Sequence, residues 1–276
     1  MDTLTLTGAY TLSSITQGQR IFFAVICAAA LLVAILGIFN PDYLAFIFTW
    51  LVLPPLHARF VGGIYLFGAV FMAGCLFAKR QAEVRWGVQM IGIWTGMLFI
   101  ISILNLNAFG LNLLPVQIWF ASYIIYPIIA IWMTFRDSDS MKPAALSGPA
   151  LDSWAKNFLL AQGVIVSLLV VALFLAPRLM STLWPWKVTA TLAQMYAGPL
   201  LAYGVGSYIY SKQEQWLGIR SIVPGMFSFV LVTVIVSFMH FNLFSLTELA
   251  DLLWFAWFIV SSALLGVMTL RSLKAA

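Results

Sequence analysis

Two histidines and one arginine are the residues whose types and spacing could do chemistry in this sequence. His57 and Arg59 lie two positions apart, and His240 follows much later in the chain. If the two imidazoles meet in the fold, they could ligate a haem or a metal ion. A conventional catalytic zinc site needs a third protein ligand, which two histidines cannot supply. We predict no cofactor and no metal site, and keep a haem protein or an embedded enzyme as the last of three functional hypotheses.

Uncharged amide side chains form the second group with a possible chemical role. They lie near the ends of apolar stretches, where they could hold a neutral ligand through hydrogen bonds. Hydrogen bonds between neighbouring helices would use the same groups, so both interpretations stay open. No catalytic residue is predicted, because the sequence has no His-Glu-x-x-His, Cys-x-x-Cys or Gly-x-Ser-x-Gly motif. Together with His57, Arg59 and His240, the candidate ligand-binding residues are Asn105, Asn107, Gln194 and Asn242.

The elements that carry these residues must be embedded in lipid. Of the 276 residues, 63% are hydrophobic and 8% are charged, against about 25% charged in an ordinary soluble domain. Apolar runs of ~20 residues, long enough to cross a hydrocarbon layer ~30 Å thick, recur along the chain. We therefore predict an all-α polytopic transmembrane bundle of eight spans, at 21–39, 58–77, 84–104, 116–134, 158–176, 193–210, 221–238 and 251–270.

The positive charges predict the orientation of the bundle, because lysine and arginine are retained on the cytoplasmic side of short loops. Once the spans are placed, all but three of the 14 lysines and arginines fall on one face, and the exceptions are Arg59, Arg178 and Lys187. Both termini are therefore predicted to be cytoplasmic in a bacterial inner (plasma) membrane. The net charge of +5 follows from this pattern, and we predict membrane lipids but no nucleic acid as partners.

The sequence matches itself at a shift of 135 residues, which predicts a duplication. Residues 107–109 match 242–244, 119–121 match 254–256, and 133–136 match 268–271, all without a gap. Because each unit has an even number of spans, both copies must have the same orientation, as two parallel four-helix repeats. We predict a first repeat at 1–136, a cytoplasmic linker at 137–156 and a second repeat at 157–276.

Two apolar segments, 43–53 and 179–188, are too short to span the membrane and too apolar to be free loops. We predict that they are interfacial or re-entrant. Trp50, Trp184 and Trp186 are then expected to anchor these segments at the depth of the lipid headgroups, where tryptophan is common.

Arg59 is the most unusual charge in the sequence. It lies at the predicted start of a helix, where the partial positive charge of the helix dipole disfavours a cation. One expectation is an anionic partner, either a lipid phosphate or one of the carboxylates of Asp42, Glu248 and Asp251. The alternative is an arginine without a specific partner, whose side chain snorkels to the lipid headgroups.

One further pattern comprises Trp184-Pro185-Trp186, Thr189 and Ala193 in the second half of the chain and Pro55, Ala58-Arg59 and Gly62-Gly63 in the first. The chain resembles duplicated multi-pass bacterial membrane proteins, which implies this fold and no particular activity. Gln194 stands where the first half has Arg59, and this departure leaves any shared role for the arginine in doubt.

These observations rank three functional classes. The first is non-enzymatic binding or transport of a neutral or amphiphilic small molecule or lipid, in a cavity at the interface between the repeats. The second is an accessory or scaffold subunit of a larger complex, in contact with other membrane subunits. The third is the membrane-embedded enzyme or haem protein that His57, Arg59 and His240 would serve.

Overall fold

The computed structural model describes residues 14–48, 55–84, 86–136 and 148–275. The described chain is helical, and its only pairing of extended backbone is a single bridge between Ala150 and Gln215. The all-α prediction is therefore confirmed. The helices are α1 (Gln17–Phe39), α2 (Pro41–Ile47), α3 (Leu56–Phe77), α4 (Gln81–Val84), α5 (Gly87–Leu104), α6 (Leu114–Arg136), α7 (Ser153–Leu175), α8 (Pro177–Leu183), α9 (Ala190–Tyr210), α10 (Val223–Met239) and α11 (Leu249–Lys274).

Six helices in the described ranges are long and apolar enough to cross a membrane, namely α1, α3, α5, α6, α7 and α11. The prediction of a multi-pass membrane protein is confirmed at this level. Helix α10 is also apolar but has 17 residues. Helix α9 has 21 residues, but its threonine, glutamine, tyrosine and glycine residues lower its hydropathy, and most of it is buried inside the bundle.

Burial separates inner helices from outer ones. We compared the share of buried residues in the most apolar 18-residue stretch of each helix. This share is 56% for α3 and 44% for α5, but only 22% for α6 and 28% for α1 and α11. Helix α3 packs along α1 and α10, and α9 packs along α7 and α5. Inner helices of the first half therefore contact inner helices of the second, while the outer helices face the surrounding medium.

Glycines let the backbones of neighbouring helices touch. A Cβ atom on Gly37 of α1 would lie 2.6 Å from the carbonyl oxygen of Ala58, and one on Gly62 of α3 would lie 2.9 Å from the amide nitrogen of Ile38. Gly163 allows the same close approach between α7 and α9, where an added Cβ atom would lie 2.6 Å from a backbone nitrogen of α9. Because these neighbours are backbone atoms, a side chain at any of the three positions would force the helices apart.

The two ends of the bundle can be named from side-chain contacts. At one end α3 begins and α10 stops, and the side chains of Arg59 and His240 are in contact; we call this the histidine end. At the opposite end Arg20 donates hydrogen bonds to the carbonyl oxygens of Leu76 and Ala78, at 2.7 and 3.4 Å. We call this the basic end, and the contact satisfies carbonyl groups that the end of α3 leaves without helical partners.

The described part of the predicted linker lies at the basic end. The amide of Leu151 donates to the carbonyl of Glu214 at 2.7 Å, and the amide of Trp216 donates to the carbonyl of Pro149 at 3.1 Å. The linker is thus attached to the connection between α9 and α10. Residues 137–147 of the predicted linker lie outside the described ranges.

Each of the two predicted short segments overlaps a seven-residue helix, α2 or α8, which follows directly after a long helix. Both short helices have proline in the first turn, where its missing N–H group costs nothing. The same prolines, Pro41 and Pro177, stop α1 and α7 from continuing. The first segment is described only to Phe48, so Trp50 lies outside the described residues.

Candidate functional site

His57 lies in the first turn of α3 and is fully buried. Trp186 Nε1 donates a hydrogen bond to its Nδ1 at 3.0 Å, and the Tyr196 hydroxyl lies 3.1 Å from the same atom. Because an indole N–H can only donate, Nδ1 carries no hydrogen and the imidazole is neutral. Its lone pair accepts from the indole, and Trp186 also interacts with the Tyr196 hydroxyl beside it. The hydrogen therefore sits on Nε2, which has no partner in hydrogen-bonding geometry among the described residues, although the Lys187 carbonyl faces the ring.

Arg59 lies half a turn further along α3 and is held at the histidine end by two acceptors. Its Nε donates to the carbonyl of Ile38 at 3.2 Å, and its Nη1 contacts Nε2 of His240. The expectation of a carboxylate partner is wrong in the described structure, because the imidazole of His240 takes that place. Asp251, one of the expected partners, instead accepts from the backbone amide of Ser245 at 2.5 Å.

His240 follows the last residue of α10, outside the apolar helix. Partial burial lowers the pKa of its imidazole, and the neighbouring positive charge of Arg59 lowers that pKa further. Both effects favour the neutral ring, which is the form that can accept a hydrogen bond from a guanidinium group. The Arg59–His240 contact is therefore consistent with a neutral imidazole at ordinary pH.

The two histidines are bonded to different partners and do not share a centre. A ligand at Nε2 of His240 would have to displace Arg59, whose positive charge also disfavours a metal cation there. The described residues contain no group of three or more His, Cys, Asp or Glu side chains placed to hold a metal ion. The arrangement gives no geometric support for the bis-histidine site considered from the sequence.

Trp184 and Trp186 are buried inside the bundle, 8% and 4% exposed. The ring of Trp186 packs edge-on against Trp254 of α11 and Phe60 of α3, with centroids 4.8 and 5.5 Å apart, and Trp184 packs against Tyr196 of α9 at 5.4 Å. Both rings are therefore enclosed by the bundle and do not face the lipid, while the predicted position of this segment at headgroup depth stays a prediction. Their rings leave the lipid because three helices surround them, and this gives the histidine end an aromatic core.

Asn105 and Gln194, two candidates from opposite halves, are brought together. Asn105 Nδ2 donates to Gln194 Oε1 at 2.9 Å, and the Thr191 hydroxyl donates to Asn105 Oδ1 at 3.1 Å. Gln194 Nε2 in turn donates to the carbonyl of Phe174 at 3.0 Å. These amides are occupied by each other and by the backbone, so hydrogen bonding between helices accounts for them without a ligand.

Asn107 and Asn242 are exposed and lie in the short 3-10 turns Leu106–Ala108 and Phe241–Leu243. Each turn follows an inner helix at the histidine end. Neither asparagine lines the two cavities described below. The structure therefore separates these two candidates from Asn105 and Gln194.

An apolar cavity of about 350 Å³ lies between α1 and α3 on one side and α5 and α6 on the other. Helix α2 and the following Phe48 also contribute to its wall, and Ala202 of α9 is the contribution of the second half. The volume is within the range of ~300–1,000 Å³ that is typical of small-molecule sites. The sequence predicted a cavity between the repeats, whereas this one lies within the first half of the chain.

The cavity opens sideways between two outer helices. Leu32 of α1 and Ile118 of α6 line it and are also 60% and 58% exposed. Towards the basic end the same helices meet, because the rings of Phe22 and Tyr126 pack edge-on with centroids 6.2 Å apart. Pro127 lies inside α6 next to that contact, where it removes one helical hydrogen bond and permits a bend. Helices α1 and α6 thus flank an opening that faces the lipid.

Two of the three tyrosines that line this cavity form a hydroxyl pair. The hydroxyl groups of Tyr65 on α3 and Tyr123 on α6 are 2.5 Å apart, and both residues line the cavity. The indole of Trp119, another lining residue, also interacts with both hydroxyl groups. The hydroxyls of Thr95 and Ser122 donate to carbonyl groups of their own helices, so they offer little to an occupant.

A smaller cavity of about 40 Å³ lies between this region and helix α9 of the second half. It shares Phe48, Tyr65 and Trp119 with the large cavity, and its far wall includes Tyr196 and Pro199 of α9. Tyr196 is also the residue whose hydroxyl lies beside His57. A single side chain thus separates the cavities from the buried histidine.

Sequence reasoning missed the large cavity. In the sequence, only its place in the segment 119–121, which matches 254–256, marks Trp119, and no pattern marks Tyr65 or Tyr123. The one available signal is a difference between positions related by the shift of 135 residues. Gly68 lines the cavity, and Tyr203 stands 135 residues later. A large residue replaced by glycine leaves space unless neighbouring side chains fill it.

Comparison with protein-family models, with curated proteins and with solved structures finds no match to the chain.

Proposed function

We propose that the protein is a non-enzymatic membrane protein that binds the hydrocarbon chain of a neutral amphiphile or lipid in the cavity between α1, α3, α5 and α6. The observation that carries the proposal is the cavity itself, which is apolar, about 350 Å³ in volume and lined by residues of four long helices. A space of this size costs stability if it stays empty, because its walls lose packing contacts. A hydrocarbon chain restores those contacts without a need for polar partners.

The chemistry of the wall favours an uncharged occupant. Among the described residues that line the cavity there is no Asp, Glu, Lys, Arg or His. A charged group without a partner is costly to bury at membrane depth. The occupant is therefore an aliphatic or isoprenoid chain whose polar end is either neutral or left outside at the bilayer surface.

The route of entry is lateral. Leu32 and Ile118 belong both to the cavity wall and to the surface of the outer helices, so an acyl chain in the bilayer can enter without crossing an aqueous phase. The small cavity extends this space towards α9 and the interface of the halves. A ligand that reaches Tyr196 would contact both halves of the chain.

The proposal includes eight spans arranged as two parallel repeats with both termini cytoplasmic. Two facts support it. First, residues 17–136 and 153–274 have the same order of elements: a long helix, a seven-residue helix, two long helices, a short 3-10 turn and a final long helix. The exceptions lie between the two middle long helices, where the first half has α4 and the second half has a further 3-10 turn. Second, the contacts between the halves are reciprocal. Helix α3 packs on α10, and α9, the counterpart of α3, packs on α5, the counterpart of α10.

The proposal is tested with the methyl ester of a palmitate analogue that carries a photoreactive diazirine in its chain. Purified protein in nanodiscs is irradiated with the probe, and labelled peptides are identified by mass spectrometry. We expect saturable labelling of cavity-lining residues of α1 and α6, which excess methyl palmitate abolishes. Uniform labelling of all exposed helices, unaffected by competitor, would contradict a specific site.

A filled cavity is the matching control. Ser122 lines the cavity and its hydroxyl bonds only within α6, so Ser122→Phe fills space without removing a contact between helices. Ala121 is the exposed neighbour that does not line the cavity, so Ala121→Phe adds the same ring outside it. We expect Ser122→Phe to lose the saturable labelling and Ala121→Phe to keep it.

A further inference from the structure

We propose that the Tyr65–Tyr123 hydroxyl pair donates a hydrogen bond to an uncharged oxygen of the bound molecule, so that the occupant is a chain with a carbonyl or similar acceptor and not a plain hydrocarbon. This inference rests on the proposed function, because it concerns the same cavity. It adds the chemical class of the ligand and the residues that recognise it.

A count of donors and acceptors carries the inference. Each tyrosine hydroxyl has one hydrogen to donate and an oxygen that can accept, whereas an indole N–H only donates. At an oxygen separation of 2.5 Å, one tyrosine hydroxyl donates to the other. Trp119, which interacts with both hydroxyls, can add only a further donor. The second hydroxyl hydrogen of the pair therefore has no acceptor in hydrogen-bonding geometry among the described residues.

An unused donor of this kind is costly in its surroundings. Tyr123 is 6% exposed, and the described cavity wall offers few other oxygen atoms. The hydroxyls of Thr95 and Ser122 are directed at carbonyl groups of their own helices, and Tyr126, although it lies close enough to influence Tyr123 electrostatically, forms no hydrogen bond with the pair. A buried hydroxyl without an acceptor loses the hydrogen bond that it had with water. An acceptor oxygen on the occupant would recover that loss, and a hydrocarbon would not.

The depth of the pair excludes a charged headgroup. Tyr65 is nine positions after the start of α3 at Leu56, which corresponds to about 13 Å along a helix. The pair thus lies well inside the apolar layer, where a phosphate or carboxylate would be unpaired. The expected ligand class is a long-chain ester, ketone, amide, alcohol or quinone that can enter this layer whole.

The test compares three probes with the same chain length, namely hexadecane, methyl palmitate and palmitate, each radiolabelled. Retention by protein in nanodiscs is measured in excess of empty nanodiscs. We expect hexadecane to be retained, methyl palmitate to be retained about fivefold more tightly, as one neutral hydrogen bond of ~1 kcal/mol would give, and palmitate at neutral pH to be retained least.

The variants separate recognition from simple packing. In Tyr65→Phe or Tyr123→Phe the remaining hydroxyl loses its partner and becomes free to donate to the ligand, so each single variant keeps the preference for methyl palmitate over hexadecane. The double variant removes both hydroxyls and loses the preference while it still retains hexadecane. Tyr126→Phe, which removes a hydroxyl from a lining residue outside the pair, keeps the preference.

The possible outcomes are distinguishable. If none of the three probes is retained above empty nanodiscs, the proposed function fails together with this inference. If hexadecane and methyl palmitate are retained equally by the unmodified protein, or if the double variant keeps the preference, the inference is overturned and the apolar binding site stands. If Tyr126→Phe loses the preference for methyl palmitate as fully as the double variant does, the assignment to the Tyr65–Tyr123 pair is also overturned. Retention of hexadecane serves as the folding control for every variant.

Discussion

At the scale of single residues, Arg59 and His240 show how a cation can be held at a helix start without a carboxylate. The Arg59 guanidinium contacts Nε2 of His240 and the carbonyl of Ile38. The imidazole can serve as acceptor only while it is neutral. Protonation of His240 would place two positive charges in contact at the histidine end, which makes this pair sensitive to pH.

We predict that His240 makes the protein less stable in mild acid. Its pKa is lowered in the folded state by burial and by Arg59, so the unfolded chain binds the proton more readily. The contribution of His240 to the free energy of unfolding is fully present above the pKa of histidine in the unfolded chain, about 6.5. It is lost as the pH falls from there through the lower pKa of the folded state. The unfolding midpoint, measured in detergent between about pH 8 and about pH 5, should fall more in the unmodified protein than in His240→Asn.

Asn105 is the residue that matches position 240 at the shift of 135, so asparagine is the conservative replacement in that prediction. Arg59 keeps an amide acceptor that does not titrate over this pH range. His57 is unchanged in both proteins, and any dependence that it causes cancels in the comparison. An identical pH dependence of the two proteins would remove His240 as the sensitive group.

At the scale of the helices, backbone contact fixes α1 against α3. A Cβ atom added to Gly37 or Gly62 would lie only 2.6 or 2.9 Å from a backbone atom of the neighbouring helix. Small residues of this kind let transmembrane helices pack closely when no hydrophobic effect drives them together. The same contact positions the two helices that form one wall of the cavity.

We predict that Gly62→Ala destabilises the protein by about 1–3 kcal/mol, because the added methyl group overpacks a backbone contact. Gly96→Ala is the control, since the nearest atom to its Cβ position is Pro127 Cβ at 3.8 Å, an ordinary contact. Both changes add the same methyl group to a helix. Unfolding of each variant in mixed micelles with increasing SDS measures the difference, and equal stability of the two variants would show that the close approach does not matter.

The hydrogen bond between Asn105 and Gln194 couples the two halves. A double-mutant cycle with Asn105→Ala and Gln194→Ala should give a coupling energy of about 0.6 kcal/mol, the average for hydrogen bonds between membrane helices. Asn107→Ala combined with Gln194→Ala should show none, because Asn107 is exposed in a different turn. A coupling in the control cycle as large as in the first would mean that the halves respond as a whole and that this bond is not specific.

At the scale of the whole molecule, the halves are joined through inner helices. Helix α3 packs on α10 and α5 packs on α9, and the polar bond between Asn105 and Gln194 adds to this interface. The outer helices α1, α6, α7 and α11 leave most of their surface to the surroundings. An arrangement of this kind suits a protein that exchanges molecules with the bilayer through its sides.

We predict that both termini lie on the cytoplasmic side, as eight spans require. A reporter that is active only in the cytoplasm, fused in turn to the N-terminus and the C-terminus, should give activity in both fusions. The physical reason is that the lysines and arginines outside the spans concentrate on one face. Activity in one fusion alone would exclude an even number of crossings, and the parallel repeat would be excluded with it.

Several elements could be predicted from the sequence because a local property decides them. The apolar runs gave the positions of the long helices to within a few residues, for example 116–134 for α6 at Leu114–Arg136 and 221–238 for α10 at Val223–Met239. Membrane-embedded backbone must satisfy its hydrogen bonds internally, so such runs form helices irrespective of what surrounds them. The segment 179–188 was predicted to be too short to span because its length is well below the ~20 residues that cross a bilayer.

The direction in which each side chain faces was decided only by the tertiary structure. Trp184 and Trp186 were expected among lipid headgroups but lie in an aromatic core, and the partner of Arg59 is His240 and not a carboxylate. Lipid chains and the interior of a helical bundle are almost equally apolar, so hydropathy cannot tell a lipid-facing residue from a buried one. The cavity beside Tyr65 and Tyr123 arises from how four helices diverge, and that depends on contacts between residues far apart in the chain.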